Sequence, residues 1–455
     1  MNALEQAQHK MREAGVAQGA IDVFTDFHGQ LEGGATGLVR EADVDPLAGI
    51  ARADDVTADP AAQREAAAVT AIIKLNGGLG TSMGMDKAKS LLPVRDGLTF
   101  LDVIAGQVKH VREQLDVDLP VLFMHSFRTQ DDSLAALAPH ALQVEGLPLD
   151  FLQNREPKLR ADDLTPVEWP ADPTLEWCPP GHGDLYTALL ASGVLDALID
   201  AGYRYASVSN SDNLGAAPDP AMMAWFAGTG APYAAEVCRR TPADVKGGHL
   251  VVRRDDGRLV LRETAQTADE DVEAATDLHR HPYFHTNNLW FDLRQVRETL
   301  RERDGVLGLP LIRNTKNVDP ADPSSPEVIQ IESAMGAAVE VFDGATAIEV
   351  DRSRFLPVKT TNDLLLLRSD VYGVGPDFRV RAQVDPRPLI DLDPRFFKTI
   401  DGFDARFPHT PSLVDATSLS VEGDWSFGRD VVVSGQVRLA DDGTAQHVPA
   451  GTRLG

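Results

Sequence analysis

Apolar residues recur at helical spacing through residues 1–34, with Leu4, Ala7 and Met11 followed by Ile21, Phe24, Phe27 and Leu31. That spacing predicts two amphipathic helices ending at Gly33-Gly34. Residues 35–58 are acidic and carry no period, and residues 60–68, opened by Pro60, predict a short helix. Residues 69–75 are a continuous, β-branched apolar run, as a strand covered on both faces requires. Beyond them the signals alternate: helix 100–115, strand 120–124, helix 131–138, strand 149–152, a helix from residue 184 and strand 205–208. This alternation predicts an α/β domain with a mostly parallel sheet, whose ligands bind outside the carboxyl ends of the strands.

Residues 232–265 predict an antiparallel excursion, with a strand over 234–238 and a hairpin turning at Asp256-Gly257 between Val251-Val252 and residues 259–261. Residues 285–290 predict another strand, residues 327–342 read as one helix, and residues 354–358 lead through Lys359 to a helix over 363–368. From residue 378 onward short β-rich pieces (378–384, 413–421, 431–437) are separated by Gly, Pro and Asp. Their spacing fits a small sandwich as well as a β-helix.

A chain of 455 residues supports two or three domains. The formal charge of −26 argues against a nucleic-acid or anionic-membrane partner, since either needs a basic face. No apolar run is long enough to cross a bilayer and no secretory apolar segment opens the chain, so a cytoplasmic location is expected. Cys178 and Cys238 form no C-x-x-C pattern and read as reduced, packed thiols. An acidic protein that binds phosphates must invert its field locally with cations, metal and backbone donors.

Such a place follows the first strand. The loop after residue 75 carries Gly77, Gly78, Gly80 and Gly84 and ends in Lys87-Ala88-Lys89. Glycines let successive N–H groups converge on one anion, and the lysines add a cationic tip. A dinucleotide loop competes through the G-x-G pair, but its third glycine falls outside G-x-G-x-x-G spacing; a Walker loop is absent, and a tight structural turn remains open. Only ten of the 43 basic residues are lysine, yet Lys74, Lys87, Lys89, Lys246 and Lys359 all fall within or beside the sequence words quoted below. Asp212 stands at the tip of the 205–208 strand, where a carboxylate suits Mg²⁺ or caps the next helix. The amides of Asn287 and Asn288 could bond sugar hydroxyls. A cation at Lys359, beside a helix N-terminus, would be relieved by a bound phosphate.

These words, in order, carry a resemblance: KLNGGLGTSMG at 74–84, GLTFLD at 97–102, PPGHGD at 179–184, SNSDNLGA at 209–216, ADVKGG at 243–248, TNNLW at 286–290 and SRFLPVKTTNDLLL at 353–366. Over roughly residues 70–370 the chain resembles the eukaryotic-type UTP–glucose-1-phosphate uridylyltransferase (UDP-glucose pyrophosphorylase) family. The resemblance implies an N-terminal helical region (1–68), a Rossmann-like nucleotidyltransferase domain with a mixed, mostly parallel sheet (69–377), and a C-terminal left-handed β-helix-like domain (378–455). It implies nucleotide contacts from Leu75, Asn76, Gly77, Gly78, Lys89, Gln153, Gly181 and Lys359. It implies sugar-phosphate contacts from His182, Asn210, Ser211, Asp212, Asn287 and Asn288, with Lys89 and Lys359 catalytic and Asp212 holding Mg²⁺. Gln153 offers the donor and acceptor that uracil's edge requires. Lys246 and Glu263 have a supporting role at most.

The implied reaction joins UTP and glucose 1-phosphate into UDP-glucose and pyrophosphate by in-line attack on the α-phosphorus. Alternatives are another hexose 1-phosphate (N-acetylglucosamine or galactose), a dinucleotide-dependent dehydrogenase, or a non-catalytic uridine-nucleotide sensor. The family pattern has cysteine, lysine, glycine and proline before its catalytic lysine, where this chain has Met85-Asp86-Lys87-Ala88. Lys89 therefore aligns and Lys87 is displaced, leaving the division of labour between them open. Any homo-oligomer would assemble through the C-terminal domain.

Overall fold

The computed structural model describes residues 1–241, 244 and 247–455. Its centre is an eight-stranded sheet in the order Ala51–Arg52, Thr346–Glu349, Tyr233–Arg239, Tyr283–Asp292, Tyr205–Asn210, Thr70–Asn76, Val121–His125, Asp150–Leu152. All neighbours run parallel except that Tyr283–Asp292 is antiparallel to both of its own. The sheet is mixed and mostly parallel, as the strand–helix alternation predicts. Its inner strands are apolar on both faces because each face carries its own core. Ile72 and Phe123 join one beneath the Phe100–Leu115 helix, and Ile73 and Leu122 join another beneath the Leu185–Ala191 helix.

Local chemistry sets the helix starts. Thr99 and Asp102 form a reciprocal capping box at Phe100–Leu115, and Asp59 caps Pro60–Ala68 with proline at a first-turn position where no donor is needed. The helices Ala3–Glu13 and Gln18–Glu32 bury Ala7, Met11, Ile21 and Phe24 against Leu159, Ile329 and Ile331. Residues 35–58 are less irregular than expected. Val44–Pro46 adds a strand to the His249–Arg253 and Leu259–Arg262 hairpin, and Ala51–Arg52 extends the central sheet. Backbone pairing with preformed edges supplies the order that the acidic sequence does not advertise.

The helix expected over 327–342 is two other elements: a strand, Glu327–Glu332, and a 3₁₀ turn, Met335–Glu340. The β-branched Val328, Ile329 and Ile331 satisfy a ladder with Ile312–Asn317, and the apolar run reads as one segment only because a buried strand and a buried turn adjoin. Toward the C-terminus, Leu389–Leu392, Ser412–Val421, Val432–Leu439 and Arg453–Leu454 stack in parallel, while Trp425–Phe427 pairs in parallel with Gln446–Val448. That pairing excludes an antiparallel sandwich for these strands, and Leu413, Leu419, Phe427, Val433 and Val448 fill the interior.

Candidate active site

Thr70–Asn76 and Tyr205–Asn210 are adjacent and parallel, with Leu75 opposite Asn210, so the glycine loop and Asp212 leave the sheet side by side. The Ser211 N–H donates to the Leu75 carbonyl at 3.0 Å, fixing that juxtaposition. The loop folds back on itself: Leu79 pairs with Ala88, and the Lys89 N–H donates to the Gly78 carbonyl at 3.2 Å. The fold-back carries Lys89 to the tip of the neighbouring strand, where its Nζ lies 2.7 Å from Asp212 Oδ2. Lys87 is exposed and has no ion pair among the described residues. Geometry therefore brings Lys89, and not Lys87, to Asp212.

The loop is built for close approach. A Cβ at Gly77 would stand 3.0–3.1 Å from the Gln153 amide, whereas one at Gly78 would meet nothing within 4 Å. Among the described residues the N–H groups of Gly77 and Gly78 make no hydrogen bond. Two free donors beside a lysine form an anion cradle, and Gln153 sits directly against it.

Asp212 has one carboxylate oxygen on Lys89, while Oδ1 is buried without a partner. Among the described residues no group of three or more His, Cys, Asp or Glu could hold a metal by themselves. A single carboxylate with an orphaned oxygen fits Mg²⁺, which commonly takes one or two carboxylates and completes its shell with water and substrate phosphates.

Beside this pair opens a cavity of about 340 Å³ lined by Asn210, Asp212, His182, His285, Asn287, Glu263 and Lys359, among others. His182 Nδ1 accepts the Met335 N–H at 2.9 Å, which leaves the proton on Nε2. Burial pushes this imidazole down to about 4, so it is a neutral donor at physiological pH. Burial pushes His285 to about 4 as well; its Nδ1 accepts the Asn287 N–H at 3.2 Å and its Nε2 has no partner. Burial raises the Glu263 carboxyl, and the nearby Lys359 charge offsets only part of that rise. Gly181 has φ +75°, and a Cβ there would stand 2.5 Å from the Ser333 carbonyl oxygen. Only glycine lets the His182 turn lie this close to that strand end.

Several expected contacts are sorted by the fold. Asn287 lines the cavity, but Asn288 faces the opposite side of the strand, where its amide is held by Glu236, Asn213 and the Arg354 carbonyl. The Asn76 side chain is likewise engaged, donating toward Ser133 Oγ at 3.0 Å and facing His125 Nδ1 at 3.2 Å. Ser211 is buried with no partner for its hydroxyl. Lys359 is exposed at the cavity edge, its Nζ 5.8 Å from the Phe284 ring centre. The helix beside it needs no bound phosphate for relief: Asp363 completes the capping box of the Thr361–Arg368 helix and accepts the Lys359 N–H at 2.8 Å, so that helix end is already neutralised. Lys359 Nζ is thereby left available for a ligand. Lys246 lies outside the described residues.

Comparison with known proteins places the whole chain. The UTP–glucose-1-phosphate uridylyltransferase family model matches residues 31–434. The chain belongs to this family. Among its curated relatives, the Saccharomyces cerevisiae UTP–glucose-1-phosphate uridylyltransferase is 40% identical over 391 residues, covering 84% of this chain and 76% of the relative. The Solanum tuberosum enzyme of that name is 40% identical over 399 residues, covering 86% and 81%. A variant of Leishmania major UDP-glucose pyrophosphorylase, solved in complex with UDP-glucose, superposes with a TM-score of 0.92 at 40% identity, covering 100% of this chain and 98% of that one.

For a member of the uridylyltransferase family, sequence reasoning left two features out. His285 belongs to the cavity wall beside Glu263, for which a supporting role was expected, and a buried network around Glu236 and Arg354 stands behind it. Strand alternation alone does not separate Asn287 from Asn288, because Asn287 has φ +57° and the pairing with Tyr233–Arg239 shifts register there. The Glu236–Arg354 pair joins positions 118 residues apart, and no local pattern announces it.

Proposed function

We propose that this protein makes UDP-glucose and pyrophosphate from UTP and glucose 1-phosphate, with the triphosphate over Gly77-Gly78 and the hexose phosphate in the cavity edged by Lys359. The Lys89–Asp212 pair carries the reading, because it sets a cation and an orphaned carboxylate oxygen beside two free backbone donors. The nucleophile is the sugar phosphate, mostly dianionic at neutral pH because second phosphate pKa values lie near 6, so no general base is needed. The obstacle is bringing two polyanions together while charge builds on the α-phosphate and the leaving pyrophosphate.

Each part of the site answers that obstacle. Gly77 and Gly78 N–H groups and Lys89 hold the triphosphate, Lys359 draws the sugar phosphate in, and His182 donates Nε2–H without adding a mobile proton. Asp212, through its free oxygen, would hold Mg²⁺, which supplies charge neutralisation to the phosphates. Gln153 and Gly181 face the uracil, while Asn210, Asn287 and Glu263 offer amides and a carboxylate to hexose hydroxyls. The Leishmania relative solved with UDP-glucose supports the choice of sugar.

We divide the chain into an N-terminal region (1–68), a catalytic domain (69–377) and a C-terminal domain (378–455) whose parallel coils we read as a left-handed β-helix and as the surface for any homo-oligomer. No helix among the described residues is long and apolar enough to cross a membrane, and the two free, buried cysteines suit a reducing, cytoplasmic compartment. The test is pyrophosphate release across a matrix of nucleoside triphosphates and hexose 1-phosphates with added Mg²⁺. The reading predicts that UTP with glucose 1-phosphate is turned over fastest. A faster galactose or N-acetylglucosamine phosphate would reassign the sugar, and nucleotide binding without turnover would leave a sensor.

A further inference from the structure

The cavity wall between Asp212 and Lys359 rests on a buried polar network. Glu236 is fully buried in the Tyr233–Arg239 strand, and its carboxylate accepts four hydrogen bonds: Arg354 Nε at 2.8 Å and Nη2 at 2.7 Å, Asn288 Nδ2 at 3.0 Å and Trp290 Nε1 at 3.0 Å. From Arg354 the chain of contacts turns back toward the site. Its carbonyl accepts from Asn288 Nδ2 at 3.2 Å and Asn213 Nδ2 at 3.1 Å, and Asn213 Nδ2 also reaches Asn288 Oδ1 at 3.1 Å. Asn213 Oδ1 then accepts the Leu356 N–H at 2.8 Å, and the Asp212 carbonyl accepts the Val358 N–H at 3.3 Å. Asp212 and the residue before Lys359 are thus pinned to one another. On the far side of the same loop, Lys74 Nζ bonds Ser209 Oγ at 2.7 Å and the Ala216 carbonyl at 2.8 Å.

We propose that Glu236, Arg354, Asn288 and Asn213 are positioning residues that set the register of Lys359 against Asp212, and so the distance between the sugar phosphate and the triphosphate. A buried ion pair is often no more stabilising than a well-packed apolar pair of similar volume, so stability alone does not account for one here. What a fully satisfied polar network adds is rigidity and a unique arrangement. Rigidity matters at this place because an in-line displacement tolerates little misplacement, and an error near 1 Å can cost on the order of 100-fold. None of the four side chains needs to touch substrate. The inference rests on Lys359 serving the sugar phosphate, as proposed above.

The test is a double-mutant cycle with Glu236→Gln and Lys359→Ala, read as kcat and as KM for each substrate, alongside thermal unfolding. Lys359→Ala alone is expected to lower kcat/KM for glucose 1-phosphate by about 100-fold. Glu236→Gln alone should cost about 10- to 100-fold, more strongly for the sugar phosphate than for UTP. Combined, the second change should add less than about 3-fold, because coupled residues lose one interaction rather than two. Should Glu236→Gln fail to fold, Asn288→Ser takes its place in the cycle with the same expectation. Full additivity, or kinetics at the wild-type level in a folded single variant, would overturn the positioning role. A wild-type rate in Lys359→Ala would instead reject the assignment of Lys359, and the role built on it falls for that separate reason.

Discussion

Lys89, paired to Asp212, and Lys359, at the edge of the cavity that Asp212 lines, are carried on segments built in opposite ways. Among the described residues the glycine loop of residues 77–89 shows free N–H groups at Gly77 and Gly78 and open space at Gly78, and its Lys89 ammonium pairs with Asp212 alone. The Arg354–Lys359 side is tied down by a buried network, with Glu236 and Asn213 fastening the backbone that carries an exposed lysine. One support has unsatisfied donors that a ligand must complete; the other is complete without a ligand. A triphosphate should therefore order the first segment and merely dock on the second. Small chemical changes in the loop should damage catalysis with little effect on stability, and changes behind Lys359 should damage both.

The largest effect that separates them is expected at Lys89. Lys89→Ala should lower kcat more than about 100-fold while the melting temperature barely moves, the scale of losing one well-aimed donor to a developing charge. Lys87→Ala, by contrast, should stay within about 3-fold, and equal losses in steady-state rate at the two positions would erase the distinction drawn between them. Next comes Asp212→Asn, which keeps the shape but weakens both the Lys89 pair and the proposed cation site. Turnover should fall about 100-fold, and titrating Mg²⁺ should show a raised half-activation concentration. An unchanged Mg²⁺ dependence would remove Asp212 as the ligand.

Smaller effects should distinguish the two faces of one strand. Asn287→Ala should raise KM for glucose 1-phosphate about 10-fold at unchanged melting temperature, whereas Asn288→Ala should lower the melting temperature, since it leaves a buried carboxylate short of a donor at a cost of about 1–3 kcal/mol. Calorimetry and initial rates on the two variants check the pair. Gly78→Ala is the mildest structural change, because space is open there, yet it should weaken UTP binding by crowding the proposed phosphate position.

The pH dependence of stability gives a separate signal. Between pH 6.5 and 4 the unfolded chain takes up a proton at His285 that the folded chain resists, because burial holds that imidazole near 4. Its contribution is therefore full above pH 6.5 and lost as pH falls through 4, amounting to about 3 kcal/mol. Asp184 acts in the opposite sense, since burial raises its carboxyl to about 7 and the folded state gains a proton as pH falls. The informative quantity is the difference between wild type and His285→Asn in denaturant titrations across that range. A variant with the same slope as wild type would place His285 in water.

Much of this was legible in the chain because the relevant signals are local. The β-branched run before Gly77, the proline that opens the helix at residue 60, and the carboxylate at a strand tip each announce themselves within a few residues. Two kinds of information were not local. The assignment of 327–342 failed because an apolar stretch does not say whether it is one element or two. Similarly, the separate duties of Asn287 and Asn288 and the Glu236–Arg354 anchor depend on which strands the fold sets side by side. The glycine loop could be read from its own composition; the support behind Lys359 is written across residues 213, 236, 288 and 354, and only the sheet brings them together.

The most direct test is a structure determined with UTP and a non-reactive hexose phosphate bound. The account predicts triphosphate oxygens within hydrogen-bonding distance of the Gly78 N–H and Lys89 Nζ, with the sugar phosphate at Lys359. A triphosphate seated away from Gly78, Lys89 and Asp212 would contradict it.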